Sequence, residues 1–421
     1  MSAAADESSI AVGDRIRAFV RDHPVVVAVV ALTILGLFAR FAYLGWRVAH
    51  WDEARVAYWV DHALETGHFA YNSHTHGPFI QHVDRYLFGL FGANDFTARL
   101  PVAVIGGLLP LSALLYRDHL EDVETVIMAG FLTASPVLLY YSRFMRSDVL
   151  VATFMFVAFG FLVRFYDTRR VRYLYGATAM LVCGIASKEN APLYVLTWLG
   201  AGTLAIDAAL YRPRAYRRGV DLVLGKFGHV RDWLFAHDRA LSRRVKWYLG
   251  HGLGLAVVFV ALFVFMFAPR GGGMAGMQYP PGDIDATLGL WEALANPLSI
   301  PTLVVDTFSY VVYPAGEYFA FGGIDGVVLD LPGPPDVSGT DNTVPYLSRL
   351  GGMVRGLLTM ALPVLGFAIV GFLRERYATE HSRTLVLFMT YAGVASIVGY
   401  PLVFSIETGW KWGMTHVVVP L

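Results

Sequence analysis

The stretch Gly252–Ala268, GLGLAVVFVALFVFMFA, contains no charged side chain. A helix crossing a bilayer needs roughly 20 mostly apolar residues. A helix on the surface of a soluble protein would instead show a polar face every 3.6 residues. No such face interrupts this run, so it reads as a membrane span with few residues to spare. Working outward, comparable runs cover Pro24–Tyr43, Ala98–Tyr116, Thr125–Tyr141, Val149–Phe165, Tyr173–Ser187, Ala191–Ala209, Val354–Leu373 and Thr384–Phe404. A further run starts near Trp412 and is still apolar at Leu421, which predicts a last helix that continues past it.

Composition agrees. Of 421 residues, 56% are hydrophobic and only 16% charged, with a mean hydropathy of +0.50. A soluble globular chain carries roughly 25% charged residues. The expected fold class is therefore all-α: a polytopic helical membrane protein with about nine to ten transmembrane helices. The single cysteine, Cys183, excludes an intramolecular disulfide framework and a thiolate metal cluster. A formal net charge of zero excludes a nucleic-acid binder driven by bulk charge.

Alternating the spans from a cytoplasmic N-terminus sorts the basic residues. Most fall in inside segments, whereas the outside loop Pro269–Met353 carries two Arg against nine acidic residues. The positive-inside rule favours this orientation. It divides the chain into a cytoplasmic basic tail (1–23) and a membrane core (24–268) with an external loop (44–97) and a cytoplasmic basic loop (210–249). An external loop (269–353) and C-terminal membrane helices (354–421) follow. Ile300–Phe321, interrupted by Asp306 and Glu317, is expected as an interfacial or re-entrant helix.

With sidedness set, the unusual polar residues collect on the outside. They are His50-Trp51-Asp52-Glu53-Ala54-Arg55, His74-Thr75-His76-Gly77-Pro78, Ser142–Asp148, Ser187-Lys188-Glu189-Asn190 and Glu407–Lys411. Each has a plain reading: an interfacial Trp, a solvated helix start, a local ion pair closing a turn. Several such loops meeting at one membrane face describe a catalytic or transport cavity.

Taken together these residues resemble the GT-C superfamily of membrane glycosyltransferases, on its protein O-mannosyltransferase and aminoarabinose-transferase branch. Asp52-Glu53-Ala54-Arg55 looks like that branch's first acidic motif, and Arg143-x-x-Arg146-x-Asp148 is similar to its second. His76-Gly77-Pro78 sits where the branch has a Pro-containing turn usually preceded by lysine, and Ser187–Pro192 resembles its Lys-containing turn. More narrowly, the set is similar to an archaeal family associated with flippase activity in protein N-glycosylation. The likeness runs roughly from Pro24 to the end of the sequence and implies juxtamembrane helices in the first external loop.

The resemblance implies a polyprenyl (dolichyl) phosphate-linked sugar donor, a glycan or protein acceptor, and displacement at the anomeric carbon with the lipid phosphate leaving. A carboxylate must take the acceptor's proton, and cations must stabilise charge building on the phosphate. Asp52 is the expected base, with Glu53 and Asp148 as further catalytic carboxylates. Arg55, His76, Arg143, Arg146, Lys188, Glu189 and Lys411 are the expected substrate-binding residues; two of only four lysines fall in this set. Glu53, His74 and His76 offer ligands for a divalent metal ion, although no spacing here is diagnostic. The alternative is a non-catalytic factor that binds a lipid-linked sugar and assists its passage across the membrane. The same cationic cavity serves both readings.

Overall fold

A computed structural model describes residues 14–15, 17–71, 75–211, 219–234, 241–271, 288–320, 346–378, 383–403 and 414–419. His74 and Lys411 lie outside the described residues, as does most of the loop around 322–345. Among the described residues the chain is all-helical. Its only β feature there is an isolated bridge between Phe69 and Arg270.

The first helix long enough to span, Pro24–Phe41 (α1), starts on a proline whose missing N–H is no loss in a helical first turn. Two shorter amphipathic helices follow, Trp51–Thr66 (α2) and Pro78–Phe91 (α3). These are the juxtamembrane helices expected in the first loop. Asp95–Leu108 (α4) continues through a 3-10 turn into Ala113–Tyr116 (α5), making one apolar rod. Next come Asp122–Ala134 (α6), Pro136–Tyr141 (α7), Ser147–Thr168 (α8), Arg172–Ile185 (α9) and Ala191–Tyr211 (α10). Gly219–Leu234 (α11), Leu241–Phe267 (α12), Leu290–Ala295 (α13) and Ile300–Ala320 (α14) lead to the last group. That group is Tyr346–Met360 (α15), Leu362–Leu373 (α16), Thr384–Val403 (α17) and Thr415–Val418 (α18).

Six of the described helices are long and apolar enough to cross a membrane, or seven if the pair Tyr346–Met360 and Leu362–Ala378 forms one bent span. This is a helical integral membrane protein. The spans expected at Thr125–Tyr141 and Val354–Leu373 differ in shape from a single rod. Pro136 has no N–H to donate, so the first divides at Ser135 into α6 and α7. Pro363 acts likewise in the second, which bends by 99° at Ala361 between α15 and α16. The run Tyr173–Ser187 contains the shorter helix α9.

Helix α8 is the centre of the bundle. Val149, Leu150, Val151, Ala152 and Met155 are fully or almost fully buried, and α9 and α4 pack on it. At the outside of the bundle Leu253 and Val257 of α12 are exposed, an apolar exterior suited to lipid. A charge inside the apolar layer must find polar partners. The fully buried Arg40 of α1 donates to the carbonyls of Gly36, Leu132 and Thr133, tying α1 to the C-terminal end of α6. Helix α6 ends there and the chain continues into α7, after which Arg143 bonds back to Ala42 and Tyr43, so the loops at 42–50 and 142–147 lie side by side.

Candidate active site

The first loop enters α2 through a reciprocal cap. His50 Nδ1 accepts from the Asp52 N–H (3.2 Å), and Glu53 Oε2 accepts from the His50 N–H (2.8 Å). Adjacent residues on a helix point apart, so the two carboxylates part company. Glu53 turns into the protein, where Arg99 of α4 donates through Nε (2.9 Å) and Nη2 (3.2 Å). Arg47 Nη2 (2.8 Å) and the Met145 N–H (2.9 Å) complete its shell. Burial alone would raise the Glu53 pKa. The Arg99 hydrogen bonds, the two backbone N–H groups and the Arg47 charge outweigh it and hold the pKa below its ordinary value.

Asp52 turns the other way. Its Oδ1 accepts from Arg55 Nη2 (3.3 Å) and its Oδ2 pairs with Arg146 Nη1. Arg146 precedes α8 in extended backbone conformation, so its guanidinium also reaches Asp148 in the first turn, with Nε 3.3 Å from Oδ2. Asp148 Oδ1 accepts from Lys188 Nζ (2.6 Å) and lies 3.3 Å from His416 Nε2. The result is a continuous line of charge, Arg55–Asp52–Arg146–Asp148–Lys188. Asp148 is almost fully buried at one end, and Asp52 reaches the surface with 12% of its side chain exposed.

The turn Ser187–Asn190 holds this line to its surroundings by sending successive side chains to different anchors. Lys188 goes to Asp148. Glu189 accepts from the Tyr71 hydroxyl (2.8 Å) and pairs with His76 Nδ1 (3.3 Å). Asn190 Nδ2 meets His416 Nε2 (3.1 Å). Burial pushes the Glu189 carboxyl up, yet His76 and Tyr71 together keep its pKa below the ordinary value. His76 is a non-glycine residue in the left-handed region (φ 63°), an arrangement that persists only where the surroundings hold it. Here the Gly77 N–H donates to Ser187 O (3.1 Å) and the Phe79 N–H to Ala186 O (2.8 Å). These bonds seat the His-Gly-Pro turn directly on the end of α9.

The structure thus brings together Asp52, Arg55, Arg146, Asp148 and Lys188, with His76 and Glu189 forming a neighbouring pair on the same turn. It does not bring Arg143 into the line. That guanidinium donates to Ala42 O (2.5 Å) and Tyr43 O (3.3 Å), closing the end of α1. For a metal, the described residues contain no group of three or more His, Cys, Asp or Glu placed to hold an ion. Glu53 and His76 are each engaged elsewhere, and His74 lies outside the described residues. Another first-loop histidine, His82, is buried 2.7 Å from Met266 O beside Arg270; burial and that guanidinium push its pKa down to about 3.

Sequence reasoning missed Arg99, Tyr71, Tyr194 and His416. His416 is fully buried, 2.7 Å from the Tyr194 hydroxyl through Nδ1 and stacked on Tyr400. Its one sequence signal is a histidine among apolar residues in Met414–Val419.

Residues 75–224 match the family described as dolichyl-phosphate-mannose-protein mannosyltransferase, a stretch that includes the His-Gly-Pro turn, Asp148 and Lys188 but not Asp52. Among solved structures the chain is similar to ArnT from Cupriavidus metallidurans bound to undecaprenyl phosphate. The TM-score is 0.55 at 16% identity, over 93% of this chain and 58% of that one. It is also similar to the archaeal oligosaccharyltransferase AglB from Archaeoglobus fulgidus, in complex with an inhibitory peptide and a dolichol-phosphate. There the TM-score is 0.50 at 14% identity, over 96% of this chain and 50% of that one. The chain therefore spans little more than half the length of these structures. A search of curated proteins gave no significant sequence match. In fold, this integral membrane protein is similar to ArnT and AglB.

Proposed function

We propose that this chain transfers a sugar from a polyprenyl (dolichyl) phosphate donor to a glycan or protein acceptor. The reaction would take place at the external face of the plasma membrane, with the N-terminus cytoplasmic. The observation that carries the reading is the charge line Arg55–Asp52–Arg146–Asp148–Lys188, which places a solvent-reaching carboxylate beside a buried cationic pair. Support comes from the neighbours, whose structures hold undecaprenyl phosphate in ArnT and a dolichol-phosphate with a peptide in AglB.

In this reading Arg146 and Lys188 receive the donor phosphate, the guanidinium through paired donors and the ammonium as a point charge. The acceptor's hydroxyl or amide attacks the anomeric carbon and its proton passes to Asp52. The bond from that carbon to the phosphate oxygen breaks, and its electron pair leaves on the lipid phosphate. Asp148 holds Arg146 and Lys188 in place, and Glu53 fixes the start of α2, so both act as positioning residues. Arg55 steadies Asp52, His76 with Glu189 lines the turn beside the clamp, and Lys411 belongs to the same proposed set.

The test is sugar transfer from a polyprenyl-phosphate donor in proteoliposomes, run beside lipid translocation on the same samples. A general base contributes typically about 10²–10⁴-fold, so Asp52→Asn should lower transfer by that order and leave translocation unchanged. Translocation that depends on the protein, with no transfer to any acceptor, would favour the flipping helper instead.

A further inference from the structure

Arg146 is shared between two carboxylates, Asp52 and Asp148. Its Nη1 is the group offered to a donor phosphate, and in the structure that Nη1 is paired with Asp52 Oδ2. Its Nε is committed to Asp148. The carboxylate meant to act as base therefore sits where an anionic oxygen of the donor would bind. Asp148 does not depend on Arg146 alone, since Lys188 and His416 also hold it. Asp52 likewise keeps a partner on its far side, Arg55, 3.3 Å from Oδ1. Both carboxylates can lose one contact to Arg146 without becoming unpaired buried charges, which would otherwise be strongly unfavourable.

Resting on the glycosyltransferase reading, we infer that the lipid phosphate binds in the place that the Asp52 carboxylate holds on Arg146, so that donor binding and release of the base are one event. The donor is a phosphodiester with one negative charge and two non-bridging oxygens, so it matches the carboxylate it replaces on the guanidinium fork, and Lys188 beside it adds a second cation. When it displaces Asp52, that side chain stays tethered to Arg55, and Oδ2, 3.6 Å from His50 Nδ1, no longer accepts from Arg146. Before displacement, Oδ2 already accepts from Arg146 and makes a poor base. The consequence is order: donor first, acceptor second.

The experiment is binding of undecaprenyl phosphate to the purified full chain, which requires no transfer. Asp52→Asn removes the competing charge and should tighten binding on the order of tenfold, within the range of ordinary coupling between sites. Arg146→Ala should weaken it. On the Arg146→Ala background, Asp52→Asn should then give no tightening, because the competition needs the guanidinium; the double-mutant cycle isolates that term. Equal tightening with and without Arg146 would mean a general charge effect and would overturn the inference. Unchanged or weaker binding in Asp52→Asn, or no binding by the unmodified protein, would overturn it too. A second measurement needs no variant: carbodiimide labelling of Asp52, mapped by mass spectrometry, should rise when undecaprenyl phosphate is added, and labelling that stays level or falls counts against displacement. If the cycle and the labelling behave as expected while no acceptor is ever glycosylated, the transfer reading fails and the shared phosphate place stands.

Discussion

Gly77→Ala should cripple the site through a single methyl group. The backbone of Gly77 (φ −60°, ψ 153°) is one that any residue adopts, so the effect is purely steric. A Cβ there would lie 2.1 Å from Ala186 O, 2.4 Å from Ala186 C and 2.6 Å from Ser187 C. These are backbone atoms, and no side-chain rotamer relieves the clash. The turn must lift off the end of α9, breaking the bonds Gly77 N–H to Ser187 O and Phe79 N–H to Ala186 O. Two backbone hydrogen bonds contribute about 0.5–1.5 kcal/mol each, and overpacking costs about 1–3 kcal/mol, so docking weakens by about 2–6 kcal/mol. His76 moves off Glu189 in the process, leaving a buried carboxylate with one partner fewer. The assay is thermal unfolding and sugar transfer for Gly77→Ala beside Gly89→Ala, both purified in the same detergent. Gly89 lies in the last turn of α3, and the nearest neighbour of a Cβ there would be Leu64 Cδ1 at an ordinary 3.7 Å. There alanine should be neutral or stabilising by up to about 1 kcal/mol. Gly77→Ala matching Gly89→Ala in both measurements would refute the docking argument.

Three further outcomes are expected. Lys188→Ala and Asp148→Asn should each be destabilising by up to about 3–5 kcal/mol, the range for breaking a buried pair, and the double variant should lose less than their sum in thermal unfolding. Asp84 of α3 is fully buried, neither oxygen has a hydrogen-bond partner among the described residues, and burial pushes its pKa well up. The folded state therefore holds that proton after the unfolded chain has released it, and stability falls as pH rises above about 4. Asp84→Asn should accordingly unfold at higher temperature than the unmodified protein at pH 7, and the gap should close toward pH 4. Glu53 and Glu189 have lowered pKa values and act oppositely: their contribution is present above about 4.3 and is lost as pH falls through their folded values. Finally, transfer should persist in excess EDTA, because Glu53 is taken by Arg99 and Arg47 and His76 by Glu189; loss restored by one added divalent ion would reverse that reading.

The membrane class and the long apolar helices were legible in the sequence because both rest on local composition, whereas the helices of the first loop were expected only from the resemblance. Prolines 136 and 363 were visible too, but whether a proline bends a span or starts a new helix depends on what packs beside it. Of the site, Asp52, Arg146, Asp148 and Lys188 stood out as charges near span ends. Which cation met which carboxylate did not, since Arg146 and Arg143 are three residues apart and their targets lie about a hundred residues away. Arg143 was indistinguishable from Arg146 until the end of α1 was seen to need closing. Arg99 read as a positive residue near a span start, with nothing to announce that it holds Glu53. His416 was hidden for a similar reason: its three polar neighbours lie on other elements.

The Ser187–Asn190 turn acts as an index. Three consecutive positions are read out against three distant parts of the chain: Lys188 against Asp148, Glu189 against Tyr71 and His76, and Asn190 against His416. A substitution there spoils one reading, while an insertion or deletion of one residue shifts all three. Slipping the register by one would present Glu189's carboxylate to Asp148, a like-charge pair in a buried setting. Over evolutionary time the spacing of this turn should thus drift more slowly than its composition. Homologues that exchange Lys for Arg or Glu for Asp at these positions are easier to reach than homologues with a turn one residue longer.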